Sequence, residues 1–111
     1  MMRRWTLATA QQLFPEVRSR TAKAVEEALG LLAQREDLAP GDALREELEA
    51  QIQASISRWA REMEALGVEV KGAWLVDFDT GTGYYCWKWP EERLEYFHSY
   101  AEGFAGRTRI Q

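Results

Sequence analysis

The sequence predicts an α+β fold in which a long antiparallel helical hairpin is followed by a small three-stranded antiparallel meander and a glycine-punctuated C-terminal tail. Two observations lead to this fold class. Before Gly67, apolar residues recur every three or four positions, as on one face of a helix. After Gly67 they alternate with polar residues, and most of the aromatic residues follow, as in half-buried strands. With 111 residues, no repeat and no long linker, the chain is predicted to be a single domain over residues 1–111.

The predicted hairpin covers residues 7–66, and its first arm is expected in two parts. Thr6 can cap a short helical turn over residues 7–13. Pro15 then suits the first turn of a new helix, because an N–H at that position would be unpaired in any case. Apolar residues at helical spacing continue this new helix to about residue 35.

The second arm of the hairpin follows a turn at residues 38–42. Asp42 is expected to be the N-cap of the second helix, which runs to Leu66. Gly67 stands where a left-handed residue commonly ends a helix. Two long helices joined by so short a turn are predicted to pack antiparallel.

The meander is predicted over residues 68–98, where turn residues separate three runs of alternating apolar character. Because the turns fall at residues 79–83 and 90–92, the strands are expected at residues 68–78, 84–89 and 94–98. The remaining segment, residues 99–111, is the predicted tail. Its two glycines, Gly103 and Gly106, are expected to let the backbone turn sharply.

Composition excludes several classes of protein. Fourteen Lys and Arg against 18 Asp and Glu give a net charge of −4, so we expect no nucleic-acid binding. Apolar runs of only a few residues predict no membrane span, and the absence of a signal-peptide pattern at Met1 favours a cytoplasmic protein. The single cysteine, Cys86, excludes an internal disulfide and a Cys-only zinc site. We expect it to be a buried structural thiol.

Five tryptophans in so short a chain have two interpretations. They can fill the small core between helices and sheet, which is the more common role of such residues, or they can form an aromatic platform for a ligand. Trp87 is a candidate for such a platform. Trp89, next to Pro90 at a strand end, is expected to be the most exposed.

The only histidine, His98, closes the third predicted strand immediately before the tail. It either hydrogen-bonds the tail backbone, contacts a small ligand, or joins a metal site with carboxylates such as Asp77 and Glu102. The tail is expected to tuck Phe104 into the core and to turn Arg107 back over the sheet. There Arg107 can pair with Asp77 or Glu102, or bind an anion in bidentate fashion.

Several sequence blocks resemble the bacterial family known as domain of unknown function 2203. The resemblance covers nearly the whole chain, and its most specific part is the closing histidine and Gly-Phe-Ala-Gly-Arg sequence. It implies a short bacterial protein with no established activity or cofactor. This chain departs from the family where acidic residues tend to follow the histidine. The blocks are residues 5–7, 13–17, 66–71, 75–78, 86–88, 97–98 and 103–107.

Three functions are compatible with these features. The sequence favours a non-catalytic interaction protein that forms a homodimer through its helices, because the meander covers only the lower half of the hairpin. The alternative is a module that binds a small anion in a polar cleft with His98, Arg107, Asp77 and Trp87. A metal-dependent hydrolase using His98 and Glu102 is the third. No cofactor or metal is assigned. The excess of Arg over Lys and the absence of Asn both fit a GC-rich genome, and the missing Asn also suits growth at high temperature.

Overall fold

A computed structural model describes residues 3–110, and Met1, Met2 and Gln111 of the predicted domain lie outside the described residues. Two helices, α1 (Leu7–Glu36) and α2 (Leu44–Ala65), precede an antiparallel sheet, as the α+β class predicts. The sheet has five strands instead of the predicted three. In chain order and in spatial order they are β1 (Glu69–Gly72), β2 (Leu75–Asp79), β3 (Tyr84–Lys88), β4 (Tyr96–His98) and β5 (Thr108–Arg109).

The first arm of the hairpin is one continuous helix, so the predicted break before Pro15 is wrong. Thr6 caps it as expected, accepting a hydrogen bond from the Thr9 amide at 3.1 Å. Pro15 lies inside α1 and removes one backbone donor there, which ordinarily costs about 3 kcal/mol. Phe14 and Val17, on either side of it, are both buried on the face that packs on the sheet and α2. Their burial favours a straight helix over a break.

The second helix begins two residues after the expected N-cap. Asp42 lies outside α2, but its Oδ1 accepts a hydrogen bond from the Leu44 amide at 2.9 Å. It therefore still provides a partner for the backbone N–H of the first helical residue. At the other end, Gly67 has a φ of +94°, the left-handed conformation predicted for it. The Val68 amide then donates to the Met63 carbonyl at 3.2 Å and closes the helix end.

The two extra strands arise at the ends of the predicted meander. A turn at residues 73–74, where Trp74 has a φ of +63°, divides the first predicted strand into β1 and β2. The Trp74 ring packs edge-on against Trp59 at 4.9 Å, and this contact offsets the backbone strain. At the other end, part of the predicted tail forms β5 and pairs with β4.

Alternation along the strands gives the sheet two different faces. One face packs on the helices and forms the core with Trp5, Phe14, Val17, Trp59, Met63, Val76, Phe78, Trp87 and Leu94 among its buried residues. Most tryptophans therefore serve as core. Trp89 is half-buried under the Arg18 guanidinium, which lies 4.8 Å from its ring. The opposite face is covered by the segment between β4 and β5, residues 99–107, which we call the roof.

The hairpin extends well beyond the sheet, in a molecule of 49 × 25 × 25 Å. The fully buried residues of α1 end at Val25, and those of α2 begin at Ser55. The distal hairpin, residues 26–54, therefore contains no fully buried side chain. None of the described helices combines the length and apolar character needed to cross a membrane.

Candidate functional site

A cavity of about 270 Å³ lies between the outer face of the sheet and the roof. We call it the tail cavity. Side chains of β1 to β4 form its floor, and the roof covers it. The residues that line it are Lys71, Leu75, Asp77, Tyr84, Cys86, His98, Tyr100, Gly103 and Phe104.

Strand register brings three polar side chains together on the floor. Asp77 and Cys86 are directly opposite each other in β2 and β3, so their side chains share a face. His98 is opposite Tyr84, which lies two residues from Cys86 and therefore on that same face. Asp77, Cys86 and His98 are each at most 3% exposed. The floor thus holds a polar cluster that is almost fully shielded from bulk solvent.

Both ring nitrogens of His98 are engaged. Nδ1 lies 2.7 Å from the Ser99 carbonyl oxygen, and because a carbonyl can only accept, Nδ1 carries a hydrogen and donates it. Nε2 lies 3.0 Å from Asp77 Oδ2. A hydrogen bond there needs one further proton, which is shared by the imidazole and the carboxyl group. The pair is therefore either imidazolium with carboxylate or neutral imidazole with carboxylic acid.

Burial perturbs the acidic groups of the floor. It raises the pKa of Asp77, and the Cys86 thiol and His98 oppose this effect. Asp77 Oδ1 has no hydrogen-bond partner among the described residues. Burial, together with the nearby Asp77 carboxyl group, also raises the pKa of Cys86 far above its ordinary value, so the thiol keeps its proton near neutrality.

The cluster has the composition of a Cys-His-Asp triad but not its arrangement. A triad needs one imidazole nitrogen on the acid and the other on the nucleophile. Here Ser99 occupies Nδ1 and Asp77 occupies Nε2, so no nitrogen is left to accept a proton from Cys86. This geometry excludes nucleophilic catalysis by Cys86 in the conformation described.

Tyrosines and one lysine form the side of the cavity. Tyr84 packs between His98 and Tyr100, with ring centroids 5.4 and 5.0 Å away. The Tyr100 hydroxyl donates to Asp79 Oδ1 at 2.6 Å, which lowers the pKa of Asp79. Lys71 lies 4.5 Å above the Tyr84 ring. Desolvation disfavours its charge, but the hydrogen-bonded Glu69 carboxylate outweighs that effect and raises the pKa of Lys71.

Only two of the five site residues chosen from the sequence, Asp77 and His98, line the tail cavity. Trp87 lies on the helix face of the sheet, and its Nε1 donates to the Glu91 carbonyl at 2.8 Å. Glu102 is exposed and accepts a hydrogen bond from the Ser99 amide at 3.4 Å. Neither residue lines the tail cavity.

Arg107, the fifth of these residues, pairs with neither Asp77 nor Glu102. Its guanidinium makes a bidentate ion pair with Glu91, at 3.0 and 2.8 Å. The Lys88 amide donates to the same carboxylate at 3.0 Å and holds Glu91 in place. Arg107 also stacks on Phe104, 4.0 Å from the ring, and the ring is 41% exposed instead of tucked into the core.

Sequence reasoning missed Cys86 as a site residue and did not single out Lys71, Tyr84 or Tyr100. The position of Cys86 in the site could have been predicted from the pairing of β2 with β3. A turn of four residues between Asp79 and Tyr84 places Asp77 opposite Cys86, on the face away from the apolar alternation. Lys71 and Tyr100 carry no such signal, because their positions depend on the turn at residues 73–74 and on the path of the roof.

Comparison with known proteins gives one match. A family model described as "Uncharacterized conserved protein (DUF2203)" matches residues 3–110. No curated protein matches the chain, and no solved structure matches it. Asp77, Cys86 and His98 each lie in one of the sequence blocks that carry the resemblance, and the fold brings those blocks together at the tail cavity. With its sequence matched almost end to end, the chain belongs to the DUF2203 family of uncharacterized conserved proteins.

Proposed function

We propose that the protein binds a small polar ligand in the tail cavity. The observation that carries this proposal is the burial of Asp77, Cys86 and His98 at the floor of a cavity. Burying a carboxyl–imidazole pair costs free energy, and apolar residues of similar volume would stabilise a sheet at least as well. Polar groups that converge on a concave pocket are instead typical of a binding site.

The charges around the tail cavity favour a small anion such as a carboxylate or phosphate. Lys71 lines the cavity and is partly exposed, whereas the shared proton of His98 and Asp77 leaves that pair without net charge. Arg107, the cation that the sequence suggested, makes a bidentate ion pair with Glu91 and does not line the cavity, whereas Lys71 lines it and makes a single contact with Glu69 at 3.1 Å. Lys71 therefore takes the role of anion partner in this proposal.

An anion titration tests the proposed function. Inorganic phosphate and succinate are added separately to the full chain at constant ionic strength, and the melting temperature and the His98 ring resonances are followed. We expect one of the two anions to raise the melting temperature in a saturable way and to shift the His98 signals, because a ligand that binds only the folded state stabilises it.

Two lysine variants make this titration specific. Lys71→Met should remove the stabilisation by the anion. Lys23→Met is the matched control, because Lys23 is an exposed lysine on α1 and does not line the tail cavity. Absence of any saturable effect from both anions would contradict the proposal, as would an unchanged effect in Lys71→Met.

A second candidate function, homodimerisation through the helices, is favoured by the distal hairpin. Leu29 and Leu44 there are 58% and 53% exposed. Leu44 also lines an apolar groove together with Leu38 and Leu48. A two-fold axis would bring this groove against the same groove of a second copy and bury the leucines in a four-helix arrangement.

Light scattering coupled to size exclusion tests the homodimer. The unmodified chain is expected to elute as a dimer at micromolar concentration, and Leu44→Glu should convert it to a monomer, since a buried glutamate would be desolvated at the interface. Gln12→Glu adds the same charge at an exposed position on the other end of α1 and should leave the dimer intact. A monomeric unmodified chain at that concentration would rule the dimer out.

The cellular setting is also a proposal. The family resemblance supports a bacterial origin. The single cysteine is buried and unpaired with any other, as expected in a reducing cytoplasm. The absence of Asn supports growth at high temperature, and the net charge of −4 supports the absence of nucleic acid among the partners.

A further inference from the structure

We propose that Asp77, Cys86 and His98 form a zinc site at the floor of the tail cavity, with the fourth coordination position open to the cavity. This inference rests on the proposed function, because it uses the same cavity as a binding site. It goes further by giving three floor residues a joint role and by naming the ion that they bind.

Distances between the three side chains suit one shared ion. A donor atom from each lies within 4.8 Å of the other two, and Nε2 of His98 lies 3.0 Å from Asp77 Oδ2. Tetrahedral zinc with ordinary bond lengths holds its ligand atoms about 3.3–3.6 Å apart. Small side-chain rotations therefore bring the three donors into the coordination sphere without movement of the strands.

Two further features of His98 and Asp77 are typical of metal ligands. The Nδ1–H of His98 donates to the Ser99 carbonyl, which fixes the ring orientation and leaves Nε2 as the ligand atom. Asp77 Oδ1 is buried and has no partner among the described residues. An ion bound by this carboxylate would compensate the desolvation that Oδ1 now bears alone.

The donor set selects zinc over the common hard cations. Mg²⁺ and Ca²⁺ take oxygen ligands, whereas a thiolate, an imidazole and a carboxylate together suit Zn²⁺. Binding displaces the Cys86 thiol proton and the proton shared by His98 and Asp77, so two protons leave as one Zn²⁺ enters. The net charge of the floor is then unchanged, which makes the exchange feasible in a buried site.

Three protein ligands leave one position of a tetrahedral zinc ion free. Lys71 and Tyr84 line the same cavity as the three ligands, and their polar ends already bond Glu69. The open position thus faces the cavity, where a water molecule or one oxygen of a small anion would occupy it. Zinc and Lys71 would then bind the anion together.

Metal titration of the full chain tests the zinc site. After treatment with EDTA and its removal, the protein is titrated with ZnCl₂ in competition with a chromogenic chelator. We expect one zinc ion per chain. Co²⁺ in place of zinc should give the visible absorption bands of a tetrahedral site and a near-ultraviolet band from thiolate-to-cobalt charge transfer, which requires Cys86 as a ligand.

Conservative variants assign the ligands. Cys86→Ser and Asp77→Asn should each weaken zinc binding by at least about 100-fold, and Cys86→Ser should also abolish the charge-transfer band. Both keep the size of the side chain, and circular dichroism checks that they fold. Glu64→Gln is the control: Glu64 is an exposed acid on α2, outside the donor group and outside the tail cavity, so the zinc affinity of this variant should be unchanged.

The outcomes separate this inference from the proposed function. Absence of zinc binding by the unmodified chain overturns the zinc site, and so does zinc binding by Cys86→Ser and Asp77→Asn that is as tight as that of the unmodified chain. An anion effect that depends on Lys71 in the EDTA-treated protein would then still support the ligand function. The opposite outcome is that zinc binding requires all three ligands while neither anion changes the melting temperature of the zinc-loaded protein. That result would support the zinc site and contradict the proposed anion binding.

Discussion

His98→Leu is expected to lower the free energy of unfolding by about 3–5 kcal/mol, an effect of the size seen when one member of a buried ionic pair is removed. The leucine fills most of the imidazole volume but leaves Asp77, which is 2% exposed, without its hydrogen-bond partner. Urea denaturation in the presence of EDTA measures this effect, since the chelator removes any contribution from a bound metal.

The double variant Asp77→Val/His98→Leu provides the control for this prediction. It removes both polar groups, so no buried charge is left unpaired, and apolar pairs of this kind are often as stable as the ionic pair they replace. We expect the double variant to be more stable than His98→Leu alone. The loss in free energy of unfolding of the double variant is compared with the sum of the losses of Asp77→Val and His98→Leu. If the two are equal, Asp77 and His98 do not act as a pair.

Trp59→Ala is expected to cost a similar amount, about 3–5 kcal/mol, for an apolar reason. The Trp59 ring is 1% exposed and packs edge-on against Trp74 between α2 and the sheet. Its Nε1–H donates to the Thr21 hydroxyl at 2.8 Å, and that hydroxyl donates to the Val17 carbonyl at 2.7 Å. Alanine leaves a large cavity where α1, α2 and the sheet meet, and it removes one hydrogen bond between the helices.

Trp89→Ala serves as the matched comparison, because Trp89 is only half-buried and packs under Arg18. Its loss should cost about 1–2 kcal/mol, in proportion to the smaller apolar area it buries. Thermal or urea denaturation of the two variants side by side gives the comparison. Equal losses from Trp59→Ala and Trp89→Ala would show that the core is not centred on Trp59.

Local patterns predicted the helices and the middle of the sheet well. The 3.6-residue repeat and the capping positions at Thr6 and Gly67 depend on residues close in sequence, and the structure has both. The break at Pro15 was predicted from a local preference, and burial of its neighbours overrides that preference. The turn at Trp74 was missed because its left-handed backbone is stabilised by a ring 15 residues away in the chain, that of Trp59.

The site could be predicted only in part, for a similar reason. Asp77 and His98 were recognised as polar residues at strand positions, and strand pairing brings them together. Cys86 was assigned to the core because its aromatic neighbours suggested an apolar setting, although β3 turns it toward the other face. Arg107 was assigned to the cleft, but the path of the roof carries it to Glu91, which lies 16 residues away in the chain, and no local pattern contains that contact.

Glu91 connects the roof to the rest of the molecule. Its carboxylate binds Arg107, which stacks on the Phe104 ring, while its carbonyl accepts hydrogen bonds from Trp87 in the core and from Arg18 on α1. Segments tied to a core in this way open only when larger cooperative units of the protein open. The Arg107 end of the roof is therefore expected to stay closed in the native state. Exchange of any occupant with bulk solvent is therefore expected past the exposed lining side chains of Lys71, Tyr100 and Phe104, without opening of that end of the roof.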